Sequence, residues 1–502
     1  MKTNTIYTSG LRGRHETANY HDTGIKRHQH NPLIEALPRI PEVTEVMRQL
    51  RKLPAYDPAE RTLPNENRLQ LIQTLRDVYI PLPMTMDLCQ RISAMIRNGY
   101  VSKNPLAHGF WPNLEAKIEA SVTEAANNRS AQTNAPGMSI FGIPGAGKTS
   151  TVENILSLYP QVIMHSSYAG QAMPLTQIVY LKLDCPHDAS TKGLCLSFLQ
   201  AVDEIVGTNN AERYSSRRCT VYGLLQTMIR VAAFNNLGLL VIDEIQQLKQ
   251  AKSGGKRLML NFFCHLMNSI ALPVVLIGTY EAQAVLSDEF RQIRRNCGNG
   301  DFVWDRMQND DTWKYFVECL WPYQYTKRIS PCTLELQHAL YDTSQGVTDF
   351  CVKLYMAAQA RAILSGLEEI RPEVIRSVFH DSFRSAHAAM RALKMQDASA
   401  LYQFNDLAAM DSLGGSLNIN TAPVMTSPKL LKTPAASPAG AQPPPIPLLK
   451  TVKPSQKVMK RQPTGLVAAA ADSLEKKNGV YTSLQAAGFI SNASEFLDEV
   501  PL

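Results

Sequence analysis

The sequence predicts an α/β fold in which a parallel sheet is flanked by helices around a phosphate-binding loop. Three observations predict it. An apolar strand runs into a glycine-rich loop at Gly142 to Thr149, and a second buried strand-like run ends in two acids, Asp243 and Glu244. From 110 to 390, apolar strand-like runs alternate with helical periodicity, the pattern of a parallel sheet covered by helices.

The first element is MSIFGIPGAGKTST, with an apolar strand from Ser139 to Ile143. Gly142, Ile143, Pro144, Gly145, Ala146, Gly147, Lys148 and Thr149 fit the pattern G-x-x-x-x-G-K-[ST], and Ser150 follows. The glycines let backbone N–H groups converge on phosphate oxygens, and the next helix, expected from Lys148 to Tyr159, presents its positive end. Lys148 is expected to reach the β and γ phosphates, and Thr149 to hold magnesium. A chance glycine-rich turn would lack the strand before and the helix after.

In LGLLVIDEIQQL, Leu237 to Ile242 form a fully apolar strand of the buried parallel type. Ligands of open α/β sheets bind at the carboxyl ends of strands, so Asp243 is placed for the magnesium shell and Glu244 to orient or deprotonate an attacking water. A solvated strand end is the alternative, which the upstream loop disfavours. A third buried strand, Pro273 to Ile277, leads to Thr279. That threonine is a candidate sensor of the γ-phosphate, or equally a hydroxyl capping a helix that starts near Tyr280. Arg291, Arg294 and Arg295 follow. They read either as a finger reaching a neighbouring subunit or as a solvated basic face.

This order of loop, acidic pair, sensor threonine, arginine cluster and trailing helices resembles AAA+ ATPases, which implies a P-loop NTPase fold with a small helical lid. NPLIEALPRIP, GLLVIDEIQQL, MLNFFCHLMNSIALPVVLIGT and SQGVTDFCVKLYMAAQARAI further resemble the TnsC family over most of residues 30 to 390. That family comprises ATP-dependent regulators of target choice in bacterial cut-and-paste DNA transposons. The resemblance implies ATP and Mg2+ as cofactors, binding of duplex DNA in the ATP state, and assembly as a ring or filament. It also implies recruitment of transposase and endonuclease subunits at a site picked by a target-selection protein, with hydrolysis supporting disassembly. KKNGVYTSLQAAGF is similar in character to the C-terminal segment by which such regulators hold these partners. Lys353 falls near the sensor-two position, where many AAA+ proteins have arginine.

A DNA site can also be sought from charge alone. Arg213, Arg217 and Arg218 precede a helix, and Lys249, Lys252, Lys256 and Arg257 form a basic, glycine-containing loop after the acidic pair. Phosphate contacts need only mobile cations, so sequence-independent and salt-sensitive binding is expected. Ordinary solvated charge is the alternative for both groups. Without interleaved aromatics, little base-specific readout is expected.

The organisation expected is an N-terminal, partly helical, partner-binding arm at 1–110 that contacts either the core or the target-selection partner, a nucleotide-binding core at 111–325, a helical lid at 326–400, a Pro-rich linker at 401–464 and a transposase-partner-binding peptide at 465–502. Ten of the 30 prolines lie between Pro423 and Pro463, which favours extended, solvated backbone there. The peptide beyond is too short for its own core, so it either orders on a partner or stays disordered.

Other classes are disfavoured. No run of about 20 apolar residues, the length that spans a bilayer, appears, and the first thirty residues lack the apolar stretch of a secretory leader, so a cytoplasmic location is expected. Nine cysteines are scattered without C-x-x-C spacing and read as reduced, mostly buried thiols. The net charge of +7 allows nucleic-acid binding without establishing it. His15, His21, His28 and His30 have no cysteine partners and read as solvated, while Met84, Met86 and Met95 read as the packing face of a helix. A protein-remodelling or helicase-like motor would need an aromatic pore loop or a second motor domain, and neither is found. An ATP-switched scaffold with little hydrolysis is disfavoured by Glu244.

Overall fold

The structure is a computed structural model describing residues 13–40, 42–116, 137–214, 220–250, 259, 263, 267, 270–282 and 301–395. The chain divides into two units, Met1–Ile419 and Asn420–Leu502, and every described residue belongs to the first. The expected linker and C-terminal peptide lie outside the described residues.

The strands are β1 (His15–Thr17), β2 (Gly137–Phe141), β3 (Val162–Tyr168), β4 (Gln171–Ile178), β5 (Tyr180–Asp184), β6 (Leu239–Asp243), β7 (Val274–Gly278) and β8 (Asp301–Val303). Five of them form an all-parallel sheet in the order β5-β6-β7-β2-β8. Every residue of β2, β6 and β7 is buried, because a parallel sheet is covered on both faces and its strands become near-continuous apolar runs. Since β6, β7 and β2 are neighbours, their carboxyl ends lie side by side, which sets the glycine-rich loop beside Thr279 and the two acids. A smaller sheet joins β1 to a β3–β4 hairpin. Ala169 (φ 48°) and Gly170 (φ 81°) turn that hairpin with the positive φ angles that a two-residue connection favours.

The helices are α1 (Pro32–Glu35), α2 (Val43–Leu50), α3 (Asn65–Ile72), α4 (Pro83–Val101), α5 (Lys148–Leu156), α6 (Thr191–Val206), α7 (Asn210–Tyr214), α8 (Val221–Phe234), α9 (Asp311–Leu320), α10 (Leu334–Ser344), α11 (Thr348–Leu364), α12 (Pro372–Ser382) and α13 (His387–Met395). Local signals start and stop them. Ser190 accepts the Gly193 N–H to cap α6, which ends on Gly207 at φ 79°. Helix α4 buries Met86, Ile92, Met95 and Ile96 on one face, with Met84 partly buried, as its periodicity predicts. It lies tight on the sheet: a Cβ on Gly99 would sit 2.6 Å from Pro273 Cγ, and the Tyr100 hydroxyl is 2.9 Å from Asn236 O.

Among the described residues, two apolar cores result. The larger surrounds the parallel sheet and takes in Leu33, Ile34 and the buried face of α4. The smaller is built on Trp313, Phe316, Leu340, Leu354 and Tyr355 of the helical lid, and it also takes in Ile72, Leu75, Ile80 and Leu82. The segment expected as an N-terminal arm is therefore shared between both cores, and the lid packs with α9 as well as with the residues from 326 onward. Of the four N-terminal histidines, His28 is not solvated: it is 6% exposed, and burial followed by Arg97 and Arg27 lowers its pKa. Among the described residues, no group of three or more His, Cys, Asp or Glu side chains is arranged to hold a metal ion by itself, and no helix is long and apolar enough to cross a membrane.

Candidate nucleotide site

The loop after β2 is held from behind and from above. Behind it, the Trp304 N–H donates to Phe141 O (2.6 Å) and the indole Nε1 donates to Ala146 O (2.7 Å). Gly142 is packed so closely there that a Cβ would fall 1.6 Å from Trp304 O, so it supports the loop from below while Pro144 to Ser150 line the cleft. Gly142→Ala is accordingly expected to cost about 3 kcal/mol, since the added methyl group meets the Trp304 backbone, which cannot yield cheaply. Thermal denaturation reads the effect, and an unchanged melting temperature would rule this contact out. Above the loop, the Asp349 N–H donates to Gly145 O (3.0 Å) and the Thr348 hydroxyl to Ala146 O (3.3 Å), so the start of α11 touches the loop directly.

Gly145 (φ 75°) and Gly147 (φ 94°) take left-handed backbone, and Gly147 caps α5. The Lys148 side chain is 8% exposed, and its ammonium donates to Gly142 O (2.9 Å) and Ile143 O (2.8 Å). A cation is thereby held at the positive end of a helix, the arrangement that suits a phosphate.

The acidic pair closes the other side. The Thr149 hydroxyl donates to Asp243 Oδ2 (2.8 Å), while Asp243 Oδ1 accepts the Glu244 N–H (2.8 Å). Glu244 stands at φ 55°, and burial followed by the Asp243 charge raises its pKa. Gln246 ties this acid to the third strand: its Nε2 donates to Glu244 Oε2, and its Oε1 accepts the Thr279 N–H (3.3 Å). Thr279 itself is 7% exposed at the end of β7. The Thr149 hydroxyl and the Asp243 carboxylate are hard oxygen donors already in contact, which fits a magnesium site.

These groups line a cleft of about 670 Å³. Its remaining walls combine Tyr79, Ile80 and Leu82 from the N-terminal segment with Phe316, Val352 and Met356 from the lid. The apolar walls face a polar floor, and the Tyr79 hydroxyl donates to Thr151 Oγ1 (3.1 Å) on α5. Lys353 also lines the cleft, half-exposed and paired with Asp349 Oδ2 (2.5 Å).

The sequence reading missed Tyr79, Ile80 and Trp304, which belong to no motif, and gave no role to Gln246 although it lies within LGLLVIDEIQQL. It also missed Lys182 on β5, whose ammonium contacts the Asp243 carboxylate. Burial opposes the charge of Lys182, but Asp243, Glu153 and Asp184 outweigh it and raise the pKa. Of the proposed DNA contacts, Arg213 is exposed on α7, and Lys249 is exposed but paired with Glu281. Arg217, Arg218, Lys252, Lys256 and Arg257 lie outside the described residues, as do Arg291, Arg294 and Arg295.

Residues 131–286 match the family described as AAA domain. No curated protein matches the chain in sequence. Among solved structures, the Aeropyrum pernix ORC1 protein in complex with DNA is 13% identical, with a TM-score of 0.35 and coverage of 65% of this chain and 83% of that one. The Aeropyrum pernix ORC2 protein is 12% identical, with a TM-score of 0.33 and coverage of 55% and 68%. The Thermotoga maritima RuvB Holliday junction branch migration motor is 12% identical, with a TM-score of 0.29 and coverage of 60% and 83%. Overlaps this loose carry nothing about activity. The matched residues span β2, the glycine-rich loop, the acidic pair and Thr279, and together with the parallel sheet they give the chain an AAA+ P-loop fold.

Proposed function

We propose that this protein binds Mg·ATP in the cleft and hydrolyses it, and that the nucleotide gates its assembly on duplex DNA as a regulator of transposition. One observation supports the ATPase reading above the others: Lys148, Thr149, Asp243, Glu244 and Thr279, drawn from three adjacent strand ends, converge on one cleft. Ile80, Leu82 and Met356 offer apolar surface to a base, and the N-terminus of α5 with Lys148 receives the phosphates. Thr149 and Asp243 would hold magnesium, which would supply charge neutralisation at the phosphates. Glu244 acts as base toward the attacking water, Gln246 holds its carboxylate, and Thr279 monitors the end of the phosphate chain. The DNA and transposition parts rest on the resemblance of four sequence stretches to the TnsC family. Transposase, endonuclease and target-selection partners, and a ring or filament of this chain, belong to that same reading.

The test is binding to a short duplex of arbitrary sequence, followed by anisotropy and sedimentation with ATP, ADP or a non-hydrolysable ATP analogue. Large complexes are expected with ATP or the analogue, weakened by salt and absent with ADP or in Lys148→Ala. Indifference to DNA in every nucleotide state would end the transposition reading and leave an ATPase acting on another substrate.

A further inference from the structure

Lys182 makes contacts that the proposed reaction does not use. It lies on β5, its side chain is 10% exposed, and its ammonium meets three carboxylates: Glu153 Oε1 at 3.0 Å, Asp243 Oδ2 at 3.2 Å and Asp184 Oδ1 at 3.4 Å. The β5–β6 register sets Asp184 opposite Asp243, and Glu153 comes from α5, the helix that begins at Lys148. Like charges placed opposite one another on neighbouring strands repel, and Lys182 is the cation that all three acids share. The oxygen it touches on Asp243 is also the acceptor of the Thr149 hydroxyl. One carboxylate oxygen, on a residue 3% exposed, thus receives both the threonine and the lysine.

Resting on the reading that the cleft takes Mg·ATP, we infer that Lys182 is a positioning residue that holds Asp243 ready in the nucleotide-free protein and competes with magnesium for Asp243 Oδ2, so that it sets how strongly nucleotide binding depends on the metal. The physical argument is one of charge. A buried carboxylate without a counter-charge is costly, so the empty site needs a cation beside Asp243. When the divalent ion arrives it meets a carboxylate already partly neutralised, and its gain is smaller than it would be at a bare one. Without metal, the same ammonium lowers the repulsion between the acids and the phosphate chain. Both effects reduce the advantage that magnesium brings.

The experiment measures Kd for a fluorescent, non-hydrolysable ATP analogue by anisotropy, in EDTA and in saturating magnesium, for the full chain. The readout is the ratio of the two constants. In Lys182→Met the ratio is expected to rise about tenfold, the size of effect that one unit charge has on a neighbouring ionic equilibrium. Lys182→Arg, which keeps the charge, is expected to stay near the wild-type ratio. Lys182→Gln keeps a hydrogen-bond donor for the carboxylates and provides the same neutralisation if the methionine variant does not fold. An unchanged ratio in the neutral variants, with only a lower melting temperature, would overturn the inference and leave Lys182 as a structural tie. If wild type binds the analogue neither with nor without magnesium, the nucleotide reading fails, and this inference fails with it.

Discussion

Glu244→Gln is expected to lower ATP turnover by roughly 100- to 10,000-fold while nucleotide binding persists. The amide has no proton-accepting carboxylate to offer water, but it fills the same space. The unusual backbone at residue 244, φ 55°, is held by the N–H bond to Asp243 Oδ1, which glutamine keeps. The contact from Gln246 can also be met by an amide oxygen. The variant should therefore melt close to wild type and bind a non-hydrolysable analogue normally. A pH profile sharpens the test. Burial and the neighbouring Asp243 charge raise the Glu244 pKa, so the carboxylate becomes an active base only at a pH above that of an ordinary glutamate. Turnover should fall on the acid side through that raised value, and this limb should vanish in the residual activity of the variant. Turnover equal to wild type would remove Glu244 from the chemistry.

Arg68→Ala is expected to cost about 3–5 kcal/mol, the penalty for breaking a buried ion pair from one side. Arg68 is 0% exposed and uses all five of its donors. Its Nε donates to Leu63 O, Nη1 to Tyr325 O and Glu368 Oε2, and Nη2 to Asn65 Oδ1 and Glu368 Oε1, with both carboxylate bonds at 2.7 Å. Removing the guanidinium leaves two carbonyls and a carboxylate, 13% exposed, without that partner. The pair joins α3 to the loop after α11, so the loss should appear as lid unfolding under denaturant. The sign of the pH dependence follows from Glu368, whose pKa Arg68 lowers. Its contribution is fully present above the unfolded value of about 4.3 and is lost as the pH falls through the lower folded value. Wild type should lose stability in that acidic window, and Arg68→Ala should lose much less there. A variant within about 1 kcal/mol of wild type would show the pair to be dispensable.

Much of the nucleotide site was legible in contiguous residues. A phosphate-binding loop needs glycines, a lysine and a threonine at fixed spacing after a strand and before a helix, and Gly142 to Thr149 supply all of it locally. Strands β2, β6 and β7 were legible because burial on both faces leaves an apolar run with turn or charge signals at its ends. Bounds shifted by a residue or two, as in β6, which runs from Leu239 to Asp243 and so includes the first acid.

Other features needed the folded chain. Trp304 grips Ala146 across 158 residues, and in sequence it is one apolar residue among many. Lys182 belongs to no motif, and only the β5–β6 pairing brings it to Asp243. The N-terminal helices were visible by periodicity, but an amphipathic face does not name its partner, so their division between the two cores was not. His28 looked solvated in a polar stretch, and only the folded chain shows it buried. The sequence by itself determined the phosphate-binding loop, the acidic pair and the sheet class, because each is a demand that consecutive residues place on their own backbone and period. The tertiary structure decided the cleft walls, the Arg68 clamp and the lysine beside Asp243, because long-range contacts depend on which buried surfaces meet, and interchangeable apolar and charged residues do not encode that locally.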